Sequence, residues 1–325
     1  MSQPVTEQVA SLLGAYDLGE VAEVVPLAGR HLNQPHVISA ARGRFFAKLL
    51  VPELTSAPGL DLRHAFVEHL ANRGVAVPRT VRTRGGATYV RCGNRALELF
   101  EFVPGRSPAA GNAADAEAAG KGLGELHVAG GHLPPASLGP RRDLPGLQAA
   151  LDKLSRLDGQ MRTYLPAPEV LAKVEPVKVA LSGSAAALRA ADLPIGLCHG
   201  DYVAANLVYA GDAGPCVTDF DEAQQGPLLL DLATAIVSFA GLAEPEFGVA
   251  FDPDVARAVA RGYARVRPLA DAERRALYPC LVGAILGRHL QAGTGPERLA
   301  AISATWKERR GAVEALVTPS AVRDP

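Results

Sequence analysis

The chain has 325 residues, 48% hydrophobic and 21% charged, and a formal net charge of −1. That is enough sequence for two hydrophobic cores. The near-zero balance, with no basic stripe, excludes the electrostatic footprint of a nucleic-acid binder. The longest apolar stretch, Leu228 to Ala243, carries Asp231 and is too short to span a bilayer, so no membrane partner is expected. Met1 to Glu7 has no basic start leading into an apolar run, so no secretory signal is expected and the location is read as cytoplasmic. Cys92, Cys198, Cys216 and Cys280 lie far apart and read as reduced buried thiols. Cys198 adjoins the central motif described below, which places it where an alkylating reagent would inhibit.

In chain order, Val9, Leu12, Leu13 and Tyr16 recur at helical spacing and predict a short amphipathic helix. Three short strands follow: Val21 to Leu27, His36 to Ser39 and Arg44 to Leu50. The first turn holds Gly29, Arg30, His31 and Asn33, and the second Gly43. On the third strand Lys48 shares a face with Phe46 and Leu50, so its ammonium needs a negative partner. A helix is predicted over about 60–72, with Leu62, Ala65, Phe66, His69 and Leu70 as its buried stripe. Strands are predicted over Val81 to Val90 and Arg95 to Val103.

From Ala113 the pattern is helical. Ala116, Gly120 and Gly124 place small residues on one helix face, which allows close helix packing, and His127 at its end reads as a packed core histidine. A proline-rich loop from Pro134 to Pro145 carries Arg141 and Arg142. Helices follow at about 147–163 and 167–190. Leu193 to Cys198 then leads into His199-Gly200-Asp201-Tyr202-Val203-Ala204-Ala205-Asn206, and a turn-rich spacer leads to Val217-Thr218-Asp219-Phe220-Asp221. Three short strands in one hairpin would set Asp201, Asn206 and Asp219 side by side. Two carboxylates and an amide suit magnesium-assisted phosphoryl transfer, because Mg²⁺ takes hard oxygen ligands and shares its remaining sites with phosphates. Helices of about 229–242, 253–265, 271–291 and 296–316 complete the chain, and 318–325 reads as a frayed end.

The His-Gly-Asp-x-x-x-x-Asn run, the Asp-Phe-Asp that follows, and Asp231-Leu232-Ala233 together resemble the signature of the aminoglycoside phosphotransferase and choline kinase superfamily. The resemblance implies an α+β, two-lobed protein-kinase-like fold. A small antiparallel β lobe, residues 1–103, would bind nucleotide. A larger, mainly helical lobe, residues 104–325, would carry the catalytic hairpin and the acceptor site. It implies ATP and Mg²⁺ as cofactors and a small-molecule hydroxyl as substrate, in a monomer or homodimer.

Residue by residue, it implies Asp201 as catalytic base, Asn206 and Asp219 as magnesium ligands, and Lys48 on the α and β phosphates. Asn33, with Arg30 and His31, would add donors over the phosphates, although that turn alone reads as a plain hairpin. Phe100 to Phe102 resembles the interlobe hinge, where backbone groups would bond adenine. His199 and Asp231 would brace the loop, and Asp221 and Glu222 would reach a second metal or the substrate.

The family helix carries a glutamate that pairs with the lysine. Here Arg63 or His64 stands at that place, with Asp61 and Glu68 one turn away as substitutes. Leu13 to Gly19, Gly74 to Gly86 and Pro279 to Arg288 look like the bacterial homoserine kinase subgroup. Arg288 either grips a substrate carboxylate or is a solvent-exposed helix residue. The tripeptide is His-Gly-Asp where that subgroup tends to have His-Ala-Asp. An aminoglycoside acceptor and a nucleotide-binding pseudokinase are the alternatives.

Overall fold

The structure, a computed structural model, describes residues 4–28, 33–133, 152–153, 168–211, 214–244, 248–291 and 294–318. Arg30, His31, the loop with Arg141 and Arg142, the helix of about 147–163 and residues 319–325 lie outside the described residues. The chain groups into two compact units: Met1–Arg106 with Val208–Asp221, and Ser107–Leu207 with Glu222–Pro325. Together they make an α+β fold, one unit built on an antiparallel sheet and the other on helices. The first unit thus runs to Arg106, past Val103, and takes in a later segment. The reason is local: Arg106 bridges to Tyr209, and Val217 N donates to Ala76 O at 2.8 Å.

The first unit is a five-stranded antiparallel sheet of β1 (Val21–Pro26), β2 (Gln34–Ala40), β3 (Gly43–Leu50), β4 (Tyr89–Cys92) and β5 (Arg95–Glu101), in the order β1-β2-β3-β5-β4. Strand alternation gives it two different faces. Phe45, Ala47, Leu49, Leu97 and Leu99 pack with Val9, Leu13 and Tyr16, the last two on the 3₁₀ turn and bend after α1 (Val5–Leu12). Leu50 and Ala96 point the other way and pack with Leu60 of α2 (Ala57–Asn72). Lys48 and Glu98 share the parity of that second face.

The α2 stripe differs from the expected one. Leu60, His64, Phe66, Val67 and Leu70 are buried, whereas Ala65 is exposed. The helix is rotated to bury His64, whose polar ring finds a carboxylate inside. The strand expected over 81–90 is also corrected. Gly93 and Asn94 make a tight two-residue turn into β5, so the paired strand is Tyr89–Cys92. Residues 79–81 touch β5 only at its end, through Val81 N to Leu99 O and Glu101 N to Arg79 O.

The second unit holds α3 (Ala113–Gly130), α4 (Pro168–Ala190), α5 (Leu229–Ala240), α6 (Pro253–Val266), α7 (Asp271–Gln291), α8 (Pro296–Glu308) and α9 (Arg310–Ala315). α5 stops two residues short of the expected helix, and Gly241–Glu244 pairs instead with Gly248–Phe251. The last expected helix is broken at Arg309. The expected three-stranded hairpin is instead two pairs. Ile195–Cys198 pairs with Gln224–Pro227, and Leu207–Tyr209 with Pro215–Val217. No helix among the described residues is long and apolar enough to cross a membrane.

The small residues of α3 act as expected. A Cβ on Gly120 would collide with the Val259 carbonyl oxygen of α6, and one on Gly262 with the Glu117 carbonyl of α3. The two backbones therefore touch through reciprocal glycines. Glu117 also holds Arg261 and Arg265 of α6. Gly120→Ala forces these helices apart, an overpacking cost of about 1–3 kcal/mol. Urea denaturation should show a lower midpoint with an unchanged slope.

Candidate active site

In the first unit the sheet places one buried cation among three carboxylates. The Lys48 side chain on β3 is 9% exposed, and its Nζ lies 2.7 Å from Asp219 Oδ1, 2.8 Å from Asp221 Oδ2 and 3.9 Å from Glu98 Oε1. Glu98 stands directly across from Lys48 in the β3–β5 ladder. Burial opposes the charge on Lys48, but Asp221, Glu98 and Asp219 outweigh it and hold the ammonium pKa above its usual value. Burial, reinforced by the charges of Glu98 and Asp219 against the pull of Lys48, pushes the Asp221 carboxyl up to about 6.

Asp219 sits at φ 65°, the one left-handed non-glycine residue among those described. Aspartate tolerates that region better than most residues, and strain of this kind gathers at functional sites. The lysine's partners are therefore not Asp61 and Glu68, the substitutes expected on the helix. Glu68 pairs with Arg82, and the acids come from β5 and from the segment after Val217.

Asn33 is buried and its amide is engaged at both ends. Its Oδ1 accepts from Val51 N at 3.1 Å and its Nδ2 donates to Asp221 Oδ2 at 2.6 Å. It thereby ties Asp221 to the chain at Val51. The backbone of the expected hinge makes hydrogen bonds of its own. Phe100 pairs with Phe46 in the sheet, Glu101 N donates to Arg79 O, and Phe102 N donates to Arg44 O. The backbone donors of Glu101 and Phe102 are thus taken up by neighbouring chain. Arg44 also stacks over the Phe102 ring at 4.0 Å.

In the second unit the loop from His199 to Asn206 is held by its backbone. Asp231, buried in the first turn of α5, accepts from His199 N at 2.6 Å and Gly200 N at 3.0 Å. His127 Nε2 donates to the same carboxylate at 3.1 Å, and Tyr263 OH lies 2.8 Å from His127 Nδ1. Arg267 bonds the Tyr263 hydroxyl and Glu273. Burial works against the Asp231 charge, but His127, His199 and the Gly200 N–H overcome it and lower its pKa. His127 is therefore more than a packed ring: it orders the acid that orders the loop. Tyr202 OH donates to Ala119 O, and Ala204 N to Ser238 Oγ.

Asp201 is exposed, and Asn206 Nδ2 donates to its carbonyl at 2.9 Å and to its Oδ2 at 3.0 Å. Glu222 is exposed, and its carbonyl lies against Gly200. Arg288 is exposed in the last turn of α7.

The phosphotransferase enzyme family matches residues 23–269. The chain belongs to this family. It is an enzyme, a small-molecule kinase. The homoserine kinase of Rhodopseudomonas palustris strain BisB18 is 29% identical over 289 residues, 86% of this chain and 81% of that protein. The homoserine kinase of Gluconobacter oxydans is 29% identical over 288 residues, 86% of this chain and 84% of that one. An aminoglycoside phosphotransferase from Alicyclobacillus acidocaldarius superposes with TM-score 0.67 at 20% identity, over 99% of this chain and 98% of its own. An amicoumacin kinase in complex with AMP-PNP and Ca²⁺ superposes with TM-score 0.68 at 18% identity, over 97% and 94%. At such identities the solved structures show the fold.

Two predictions follow from the loop's geometry. Cys198 is buried, with its thiol pushed well above its usual pKa by burial first and by Asp231 second. This corrects the expectation that alkylation there would inhibit. Iodoacetamide on the native protein should modify Cys92, the one exposed cysteine, and leave turnover unchanged; mass spectrometry locates the adduct. Gly200 has φ 86°, and a Cβ there would strike the Glu222 carbonyl. A left-handed alanine costs about 1–2 kcal/mol, so Gly200→Ala should distort the loop and lower kcat roughly tenfold, read by steady-state kinetics.

Proposed function

We propose that this enzyme moves the γ-phosphate of ATP onto the side-chain hydroxyl of a small amino-acid alcohol, with homoserine as the leading candidate. The observation that carries the phosphoryl-transfer reading is the buried Lys48 ammonium faced by Asp219, Asp221 and Glu98. The similarity to homoserine kinases over 86% of the chain supports the acceptor. The proposed division of labour follows the expected domains. Residues 1–103 bind nucleotide, and residues 104–325 carry the base and the acceptor site.

In this reading Lys48 contacts the α and β phosphates, and Asn33 keeps Asp221 in place. Phe100 and Phe102 border the adenine. Asp201 accepts the proton of the attacking hydroxyl, its carboxylate aligned by Asn206. Gly200, His199 and Asp231 hold the loop that presents it. Asp221 and Glu222 serve a second cation or the substrate, and Arg288 grips the acceptor carboxylate, a bidentate task for a guanidinium. The four cysteines are free, which fits a reducing, cytoplasmic setting.

The donor set suits Mg²⁺. Asp219 would bring a hard carboxylate and Asn206 an amide, the oxygen-bearing side chains this cation takes. One ammonium against three carboxylates leaves the cluster two negative charges in excess. Among the described residues no three His, Cys, Asp or Glu side chains form a ready metal cage. Mg²⁺ does not need one, since it takes one or two carboxylates, waters and phosphate oxygens. Bound there, Mg²⁺ would neutralise charge on the phosphate tail.

ADP release should be measured against homoserine, aminopropanol, ethanolamine, choline and a set of aminoglycosides. Homoserine should give the highest kcat/KM, and an acceptor at least tenfold better would replace it. Asp201→Asn should lower kcat by about 10² to 10⁴ while ATP affinity stays within about threefold. A variant keeping more than about a tenth of wild-type kcat, a barrier change of only ~1.4 kcal/mol, would remove Asp201 from the role of base.

A further inference from the structure

Lys48 needs an anchor that stays when its nearer partners are drawn to other charges. Asp219 and Asp221 belong to the segment after Val217, and in the reading above they also serve a cation. Glu98 is different. It lies in β5 directly opposite Lys48, so the ladder itself fixes the distance between the two backbones. Its side chain is 3% exposed. A carboxylate so deeply buried needs donors on both oxygens. Oε1 faces Lys48 at 3.9 Å, and Oε2 accepts from His64 Nε2 at 2.9 Å.

His64 is itself only 4% exposed. Its ring meets Tyr89 edge-on at 5.9 Å and Phe100 at 6.0 Å between centroids. With Nε2–H donated to Glu98, Nδ1 has only a lone pair, and it is buried without a partner. Among the described residues the ring's one hydrogen bond is therefore with Glu98. A buried imidazole with a single polar contact is a device for holding that contact in place.

We propose that Glu98 and His64 form a positioning pair for Lys48: the strand supplies the negative charge that aims the ammonium at the nucleotide phosphates, and helix α2 supplies an imidazole N–H that locks the carboxylate's rotamer. The proposal rests on the reading of Lys48 as a phosphate-binding residue. Neither member touches substrate. Both act through the ammonium, so their loss should appear in the use of ATP and not of the acceptor.

The test is a set of steady-state titrations of ATP and of acceptor on folded variants, with thermal melts alongside. Glu98→Gln keeps the shape and can still accept from His64, but it loses the charge. It should raise KM for ATP at least tenfold and leave KM for the acceptor within twofold. His64→Leu should move KM for ATP the same way by threefold or more. His64→Gln, whose amide can still donate to Glu98, should stay within threefold of wild type. A folded Glu98→Gln with KM for ATP within twofold of wild type overturns the pair. If Glu98→Gln does not fold, His64→Leu decides alone, and no rise in KM for ATP overturns the proposal. Lys48→Met separates the two readings. If Lys48→Met leaves KM for ATP and kcat unchanged, both the phosphate-binding role of Lys48 and the pair fail. If it is strongly impaired while Glu98→Gln is silent, only the pair fails.

Discussion

A single buried ammonium set against three carboxylates is the constraint on which the first unit depends. Removing one member of a buried pair leaves an uncompensated charge, typically a cost of 3–5 kcal/mol. Lys48 escapes that by having more partners than it needs. The excess then falls on the acids, and Asp221 shows it by holding its proton to a higher pH than a surface aspartate. An arrangement with surplus negative charge is most comfortable when another cation arrives.

The second unit solves a different problem. A loop that presents a base, as proposed for Asp201, must be exposed where it reacts and rigid everywhere else. Here rigidity comes from backbone amides of His199 and Gly200 bonding one buried carboxylate, Asp231. A lone buried carboxylate would be unstable, so it too needs partners, and His127, Tyr263, Arg267 and Glu273 extend the chain of bonds outward from α5 to α3, α6 and α7. The close approach of α3 and α6 through Gly120 and Gly262 brings the helices near enough for His127 to meet Tyr263. Packing deep in the helices and the posture of Asp201 are consequently parts of one structure.

Much of this was legible in the sequence because it is written in local patterns. Alternation put Lys48 on the inner face, small residues at helical spacing marked α3 as a close-packing helix, and the loop motif was contiguous. What was missed is mostly non-local. The lysine's acid was sought on α2, where Arg63 and His64 stand, but it comes from the neighbouring strand. A signal existed: Glu98 is an acid between Leu97 and Leu99, on the face that also carries Ala96 and Phe100, and so is a charge inside an apolar strand. Strand pairing was the other failure. Periodicity cannot tell which segments pair, so Val81 to Val90 read as a strand, and Ile195–Cys198 was joined to the wrong neighbours. The turn chemistry at Gly93 and Asn94 was the better guide to β4.

Catalytic geometry of this kind is indifferent to the acceptor. In the proposed reading, Lys48 and Asp219 serve a phosphate and Asp201 and Asn206 a hydroxyl, and none of these roles selects one alcohol over another. Solved proteins with this fold at about 20% identity carry names as different as aminoglycoside phosphotransferase and amicoumacin kinase, so shape carries no information about the acceptor. The information lies in the side chains that fix the substrate's remaining groups. A polycationic antibiotic requires a strongly acidic surface, which a chain of net charge −1 does not have in bulk. A zwitterionic amino acid needs one cation for its carboxylate and one anion for its amine, a demand that leaves the overall balance near neutral. A near-neutral composition is compatible with the proposed amino-acid acceptor, and the similarity to homoserine kinases over most of the chain supports it.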